Sequence, residues 1–246
     1  MLKLEREKEI LAILEDKGHA SVQQLSQILY TSESTIRRIL VDLDRKGQIR
    51  RSYGGAELVQ VRHQVDQFRS RLRQNSHAKK QIAEKAAAMV PDGSIVFLDQ
   101  STSSYHLASA LMDRKRLTIV TNNLEIAGLL SETDFEIILS GGRLGRQVRT
   151  CLVGEDSHRI FQEIYGDFAF ISACSVSEDG VVSDCDREEI LVRKAMLDNA
   201  KTKVFLCDSS KFGNRSAYRQ CHLSELDMMV SEDGNASAYR QFLSVL

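Results

Sequence analysis

Apolar residues recur at helical spacing through the amino-terminal part of the chain and fall into short runs farther on. Leu4, Ile10, Leu11 and Leu14 share one helical face, and Lys17-Gly18 closes the helix they define. Ser21-Val-Gln-Gln24 has the spacing of a capping box, with Ser21 capping and Gln24 reaching back, so a second helix starts there. Its buried stripe is Val22, Leu25, Ile28 and Leu29. A third helix opens near Ser32 and runs to about Lys46, ended by Gly47. At about 100° per residue, Ile36, Leu40 and Leu43, with Ile39 beside them, form its buried face. Ser34, Arg38, Val41 and Arg45 fall opposite, with Arg37 at the flank. Gln48–Val59 reads as two short strands around the turn Tyr53-Gly54-Gly55.

The texture then changes twice. Residues 58–77 mix Arg62, Arg69, Arg71 and Arg73 with Gln, His and Ser and show little apolar periodicity, which predicts a linker with some helix. A regular helix follows over Lys79–Met89. From about Ser94, apolar runs alternate with helical stretches. The runs are Ile95–Leu98, Leu117–Val120, Phe135–Leu139, Phe168–Ile171 and Lys203–Leu206. The helices include roughly Ser104–Met112, Leu124–Leu130 and Glu188–Ala200. Such alternation implies crossover connections and a mostly parallel sheet covered on both faces, an α/β fold. The expected domains are 1–57, a linker 58–77, and 78–246.

Composition narrows the class. A chain of 246 residues with 42% hydrophobic and 27% charged residues is of globular type, neither disordered nor fibrous. No run approaches the roughly 18 apolar residues of a membrane span. MLKLEREKEI lacks an apolar signal core, so a cytoplasmic protein is expected. Five cysteines between Cys151 and Cys221, with no CxxC, predict reduced thiols and neither a disulfide framework nor a metal site. No cofactor is expected. The net charge of −1 excludes a surface that is basic throughout. Locally the balance differs: from Ile36 to Arg73 ten basic residues (Arg37, Arg38, Arg45, Lys46, Arg50, Arg51, Arg62, Arg69, Arg71, Arg73) face four acids (Asp42, Asp44, Glu57, Asp66).

That patterning suits a DNA reader. The third helix carries the hydroxyls of Ser32, Ser34 and Thr35 near its start and Arg37, Arg38 and Arg45 along one side. In a major groove such residues reach base edges and phosphates. Arg50, Arg51 and Tyr53 lie on the following hairpin, where a wing would track the backbone. By periodicity alone a solvated helical domain stays open as an alternative. Ser32-Glu-Ser-Thr-Ile-Arg-Arg-Ile-Leu-Val-Asp-Leu-Asp-Arg-Lys-Gly47, followed by Ile49-Arg50-Arg51-Ser-Tyr-Gly54-Gly55-Ala56, resembles the winged helix-turn-helix of the DeoR family of bacterial sugar-operon regulators. The resemblance covers residues 3–57 and departs from the family at Ile39, where Asp is usual.

Polar residues cluster after the predicted strands: Asp99-Gln100-Ser101-Thr102-Ser103-Ser104, Thr121-Asn122-Asn123, Ser140-Gly141-Gly142-Arg143, and Cys207-Asp208-Ser209-Ser210-Lys211. The carboxyl ends of strands in open parallel sheets bound the ligand crevice, and a helix start there can hold phosphate. The candidate effector residues are Asp99, Gln100, Ser101, Thr102, Ser103, Thr121, Asn122, Gly141, Gly142, Arg143, Asp208 and Lys211. Phe97-Leu98-Asp99, Thr121-Asn122, Gly141-Gly142, Val153-Gly154, Glu189-x-x-Val192-x-Lys194-Ala-Met196 and Asp208-x-Ser210-Lys211-Phe212-Gly213 follow the order of the same family over residues 78–232. The resemblance implies a sensor domain folded like ribose-5-phosphate isomerase, a phosphorylated sugar effector, a double-stranded operator, and a homodimer or homotetramer. Two loops depart from it: Ser101 stands where Gly is common, and Ser172-Ala-Cys174-Ser175 where Gly-Ala-Asp-Gly is common.

Two other classes compete with a repressor of a carbohydrate operon. A sugar-phosphate isomerase needs a carboxylate base, for which Asp99, Asp184, Glu189 and Asp208 are candidates with Lys211 as electrophile. Reader arginines would be idle in such an enzyme, and no nucleophile elbow, P-loop, HExxH or GxGxxG occurs. A sensor acting through protein partners is the third class.

Overall fold

Ile10 and Leu14, one turn apart on the first helix, are fully buried with Val22, Leu25, Ile36, Leu40 and Leu43. These residues form the core of the first of two units, Met1–Asp66 and Gln67–Leu246, into which the chain divides. The computed structural model describes residues 3–17, 19–45, 49–52, 54–58, 63–146 and 148–246.

The first unit runs α1 (Lys3–Lys17), β1 (His19–Ser21), α2 (Val22–Ile28), α3 (Glu33–Arg45), β2 (Ile49–Ser52) and β3 (Gly55–Leu58). Ser21 caps α2: its Oγ accepts from Gln24 N at 3.1 Å while Gln24 Oε1 accepts from Ser21 N at 2.9 Å. Both β1 and β2 pair antiparallel with β3, so the hairpin read from the sequence is a three-stranded sheet. Three residues are too few to show alternation, which hid β1. Gly55 permits that third strand, because a Cβ there would lie 2.5 Å from the carbonyl oxygen of Ala20.

The helix α4 (His63–Arg73) spans the division, and the second unit continues with α5 (Ser76–Ala88), β4 (Ile95–Leu98), α6 (Thr102–Ala110), β5 (Thr118–Thr121), α7 (Leu124–Leu130) and β6 (Glu136–Leu139). A short ribbon follows, β7 (Arg143–Leu144) with β8 (Leu152–Val153), then α8 (Glu155–Glu163) and β9 (Gly166–Ile171). The chain continues through β10 (Ser175–Val176), β11 (Val181–Asp184), α9 (Arg187–Asp198), β12 (Ala200–Leu206), β13 (Tyr218–His222), β14 (Met228–Val230) and β15 (Ser244–Val245).

Seven of these strands form one parallel sheet in the order β15-β14-β12-β9-β4-β5-β6. Alternate residues of its strands face opposite ways. Val96, Leu98, Ile119, Phe170 and Val204 pack with α5, α6 and α7. Phe97, Val120, Ala169, Ile171 and Phe205 pack with α8 and α9. The second face also carries the antiparallel sheet β10-β11-β13, through Val176, Val182 and Cys221.

Two differences from the sequence reading have simple causes. Most of the stretch read as a linker is helical, α4 and the start of α5. Its anchor is one aromatic, Phe68, buried with Val148, Cys151 and Val153 and edge-on to Tyr105 at 5.9 Å. The helix α8, EDSHRIFQE, is mostly polar and holds the sheet chiefly through Phe161, edge-on to Phe97 at 5.3 Å. A single buried aromatic gives no periodicity to read.

Candidate functional site

On α3 the buried face is Ile36, Ile39, Leu40 and Leu43, as the spacing predicts. Ser32, Ser34, Arg37, Arg38 and Arg45 are exposed and Thr35 is half-buried. Ser32 Oγ lies 3.0 Å from Ser34 Oγ and 2.9 Å from Thr35 Oγ1, so the hydroxyls cluster at the helix start. Arg37 is held by Glu33 one turn back at 2.8 Å. Arg51 is exposed on β2. Arg50 is in β2 with its side chain outside what is described, and Tyr53 lies outside the described residues.

In the second unit, successive strands step away in opposite directions from the β4–β9 pair, and ligands bind at such switch points. A cavity of about 220 Å³ opens at the carboxyl ends there. Gln100, Ser101, Thr102 and Ser103 line it after β4, Ser172 and Cys174 after β9, and Asp208 and Lys211 after β12. Ser101 caps α6, accepting from Ser104 N at 3.0 Å. Ser103, one residue inside that helix, is 1% exposed, and its Oγ has no hydrogen-bond partner. Lys211 Nζ donates to Ser172 Oγ and lies 3.5 Å from Asp208 Oδ2. Burial works against the charge of Asp208, but Lys211, Ser210, Lys79 and Asn75 outweigh it and hold its pKa below the usual range. Lys79 also lines the cavity and donates to Arg71 O at 2.6 Å and Gln74 O at 2.7 Å, closing the end of α4. Burial, then the neighbouring Lys211, lowers its pKa to about 8.

Arg193, almost wholly buried, forms part of the cavity wall. Its Nε donates to Asp99 at 2.9 Å, Nη1 to Asp184 and to Gln220, each at 2.8 Å, and Nη2 to Glu189 at 3.1 Å. Burial disfavours its charge, yet the three carboxylates more than compensate and raise its pKa. Asp184 likewise loses to burial and gains more from Arg193, so its pKa is lowered. For Glu189 the balance reverses: desolvation outweighs Arg193 and its pKa is raised. Burial and the adjacent Asp184 carboxylate push the Cys174 thiol up to about 12.

Six of the expected effector residues do not line the cavity. Asp99 is wholly buried and accepts from Ser101 N, Ser104 Oγ, Ser172 N and Arg193, so it braces the loops. Thr121 Oγ1 donates to Leu98 O at 2.7 Å, and Asn122 Nδ2 donates to Leu152 O at 3.0 Å. Gly142 serves close backbone approach, with φ +103° and a Cβ on it 2.5 Å from Val153 O, while Gly141 is exposed and would leave a Cβ only ordinary contact with Asp156. Arg143 is paired to Glu188 at the surface. Conversely, Lys79 and Arg193 were missed as site residues. Lys79 lies on the stripe of Ile82, Ala83 and Ala86, and Arg193 on that of Glu189, Val192 and Met196. A charged side chain on an apolar stripe is the signal that would have found both.

Residues 74–233 match the DeoR C terminal sensor domain, and residues 6–62 match the DeoR-like helix-turn-helix domain. The chain belongs to the DeoR family. Among its relatives, the HTH-type transcriptional regulator YgbI of Escherichia coli K12 is 32% identical over 95% of this chain and 91% of its own length. The glycerol-3-phosphate regulon repressor of the same organism is 30% identical, covering 94% of this chain and 92% of its own. GlcR, an HTH-type transcriptional repressor of Bacillus subtilis, is 32% identical over 94% and 89%. Ribose-5-phosphate isomerase A from Methanocaldococcus jannaschii overlaps 56% of this chain and 55% of its own, at 18% identity and TM-score 0.42.

As a DeoR-family protein this chain is a DNA-binding transcriptional regulator with a sensor domain. Ile39, where the family usually has Asp, is only 3% exposed and packs in the reader's core. Among the described residues, no helix is long and apolar enough to cross a membrane.

Proposed function

We propose that this DeoR-family regulator is a cytoplasmic repressor of a carbohydrate operon, relieved when a phosphorylated sugar occupies the cavity of its sensor unit. The observation that carries the reading is Ser103: a hydroxyl with no partner, at the start of a nine-residue helix, in the same cavity lining as Lys79 and Lys211. A buried hydroxyl without a partner costs about 1–3 kcal/mol, which a phosphate oxygen recovers. The first turn of α6 favours that anion through its dipole, and the two lysines add charge. Gln100, Ser101, Thr102 and Asp208 complete the ligand contacts, and Asp99 positions them.

In the first unit, Ser32, Ser34, Thr35, Arg37, Arg38 and Arg45 of α3 read the operator, with Arg50, Arg51 and Tyr53 along the phosphates. The names of the relatives, a glycerol-3-phosphate regulon repressor and GlcR, support repression as the sense of control. Two readers in a homodimer or homotetramer match repeated half-sites. The effector is bound and not turned over. Asp99, Asp184 and Glu189, each a possible base for isomerisation, are engaged by Arg193, and Asp208 by Lys211.

A thermal-shift panel of sugars tests this. Phosphorylated sugars raise the melting temperature by mass action and their unphosphorylated counterparts do not. Equal shifts by both, or turnover of a pentose phosphate, would overturn the reading.

A further inference from the structure

We propose that Cys174, Asp184 and Cys185 form a binding site for a thiophilic divalent cation of the zinc class, at the rim of the effector cavity. The proposal goes beyond the effector reading and does not depend on it. The sequence argued against a metal because its cysteines lack close spacing. The fold supplies the proximity instead. In the β10–β11 hairpin Ser175 pairs with Ser183 and Val176 with Val182. One step farther along, that register sets Cys174 opposite Asp184, with Cys185 next to it.

Donor geometry is the first support. One ligand atom from each residue lies within 4.8 Å of the others, and Cys174 Sγ donates to Asp184 Oδ1 at 3.2 Å. Tetrahedral zinc, with Zn–S about 2.3 Å and Zn–O about 2.1 Å, sets its donors about 3.5–3.8 Å apart. Cys174, partly desolvated in the cavity wall, and Cys185 both present surface to solvent, and ångström-scale rotation of their side chains brings the donors to that spacing. Outer contacts orient the third donor: Asp184 Oδ2 is fixed by Arg193 at 2.8 Å, and Oδ1 by Cys185 N at 2.6 Å.

Charge is the second support. Three carboxylates, Asp99, Asp184 and Glu189, surround the single guanidinium of Arg193. Asp99 and Asp184 alone exceed it by one negative charge, which a cation beside Asp184 offsets, and Glu189, whose pKa burial raises, adds to that excess only so far as it is ionised. The cation takes two thiolates and one carboxylate oxygen, and the two thiol protons pass to solvent. A fourth position is left for water or for a hydroxyl in the cavity, since Cys174 also lines it.

The test uses the full, reduced chain after chelator treatment and desalting, with neither sugar phosphate nor DNA present. Its failure is therefore separate from failure of the effector reading. Zn²⁺ is titrated against a chromophoric chelator, and Co²⁺ is followed by absorption. The expected result is a single equivalent bound, with a sulfur-to-cobalt charge-transfer band and the visible bands of a tetrahedral site. Cys185→Ser changes an exposed side chain and keeps the native melt, and it weakens Zn²⁺ binding by about tenfold or more. The pair Cys174→Ser with Cys185→Ser abolishes the sulfur-to-cobalt band. No uptake by the reduced wild type overturns the proposal, as does full retention in the double variant. Loss of both thiols only on oxidation, with no metal taken up beforehand, identifies a disulfide pair and overturns it too.

Discussion

Ser103→Ala separates a ligand-binding hydroxyl from a structural one because the two roles predict opposite signs. The substitution removes one oxygen from a helix position that is 1% exposed. Without effector, that oxygen is desolvated and has no partner, a cost of about 1–3 kcal/mol. Removing it leaves the free protein as stable as before or more so, and alanine adds a few tenths of a kcal/mol in helix propensity. With effector the sign reverses. A hydrogen bond to a charged phosphate oxygen contributes about 1.5–3 kcal/mol, so its loss weakens binding by roughly 10- to 150-fold. Chemical denaturation of the free chain gives the first quantity, and calorimetric titration with a stabilising sugar phosphate gives the second. A variant destabilised by more than about 1 kcal/mol, with unchanged effector affinity, would refute the argument.

Other perturbations probe the remaining parts. Arg193→Met leaves Asp99, Asp184 and Glu189 buried without their cation, so urea denaturation should show a loss of about 3–5 kcal/mol at neutral pH. That loss shrinks on acidification, because the stranded carboxylates then protonate more readily in the folded state than in the unfolded chain; a loss independent of pH contradicts the ion-pair account. Arg38→Ala should weaken operator binding by about 1–3 kcal/mol and leave the melting temperature unchanged; unaltered affinity removes Arg38 from the reading surface. Lys79 has a folded pKa of about 8 against an ordinary lysine value of 10.5, so between those values the unfolded chain holds more protons and this group makes stability rise with pH. An incoming phosphate dianion raises that pKa, so effector binding near pH 8 takes up protons. Calorimetric heats that depend on buffer ionisation enthalpy show it, and heats identical across buffers count against phosphate beside Lys79.

Much of the fold was legible because burial on one or both faces writes itself into spacing. Ile95–Leu98 and Leu124–Leu130 have the boundaries read from the sequence, since an apolar run bounded by polar residues admits few alternatives. The Ser21–Gln24 box was readable for a different reason: both of its hydrogen bonds are local. What escaped is held by contacts distant in sequence. β1 is three residues paired to β3, and α8 depends on Phe161 reaching Phe97. The site divides the same way. Ser101, Ser103, Asp208 and Lys211 follow strands directly, so position along the chain located them at the cavity. Asp99 and Asn122 are also at strand ends, but they turn inward to brace loops, a choice made by partners 73 and 30 residues away. Arg193 is meaningful only once Asp99, Asp184, Glu189 and Gln220 converge on it.

Operator affinity measured across a salt series, with and without a stabilising sugar phosphate, tests the two-unit account most directly. The account predicts tight binding that falls steeply with salt and changes when the ligand is added. It further predicts that Arg38→Ala loses DNA while still binding ligand, and that Ser103→Ala keeps DNA while losing the response. Affinity of the wild type that is insensitive both to salt and to every phosphorylated sugar would contradict it.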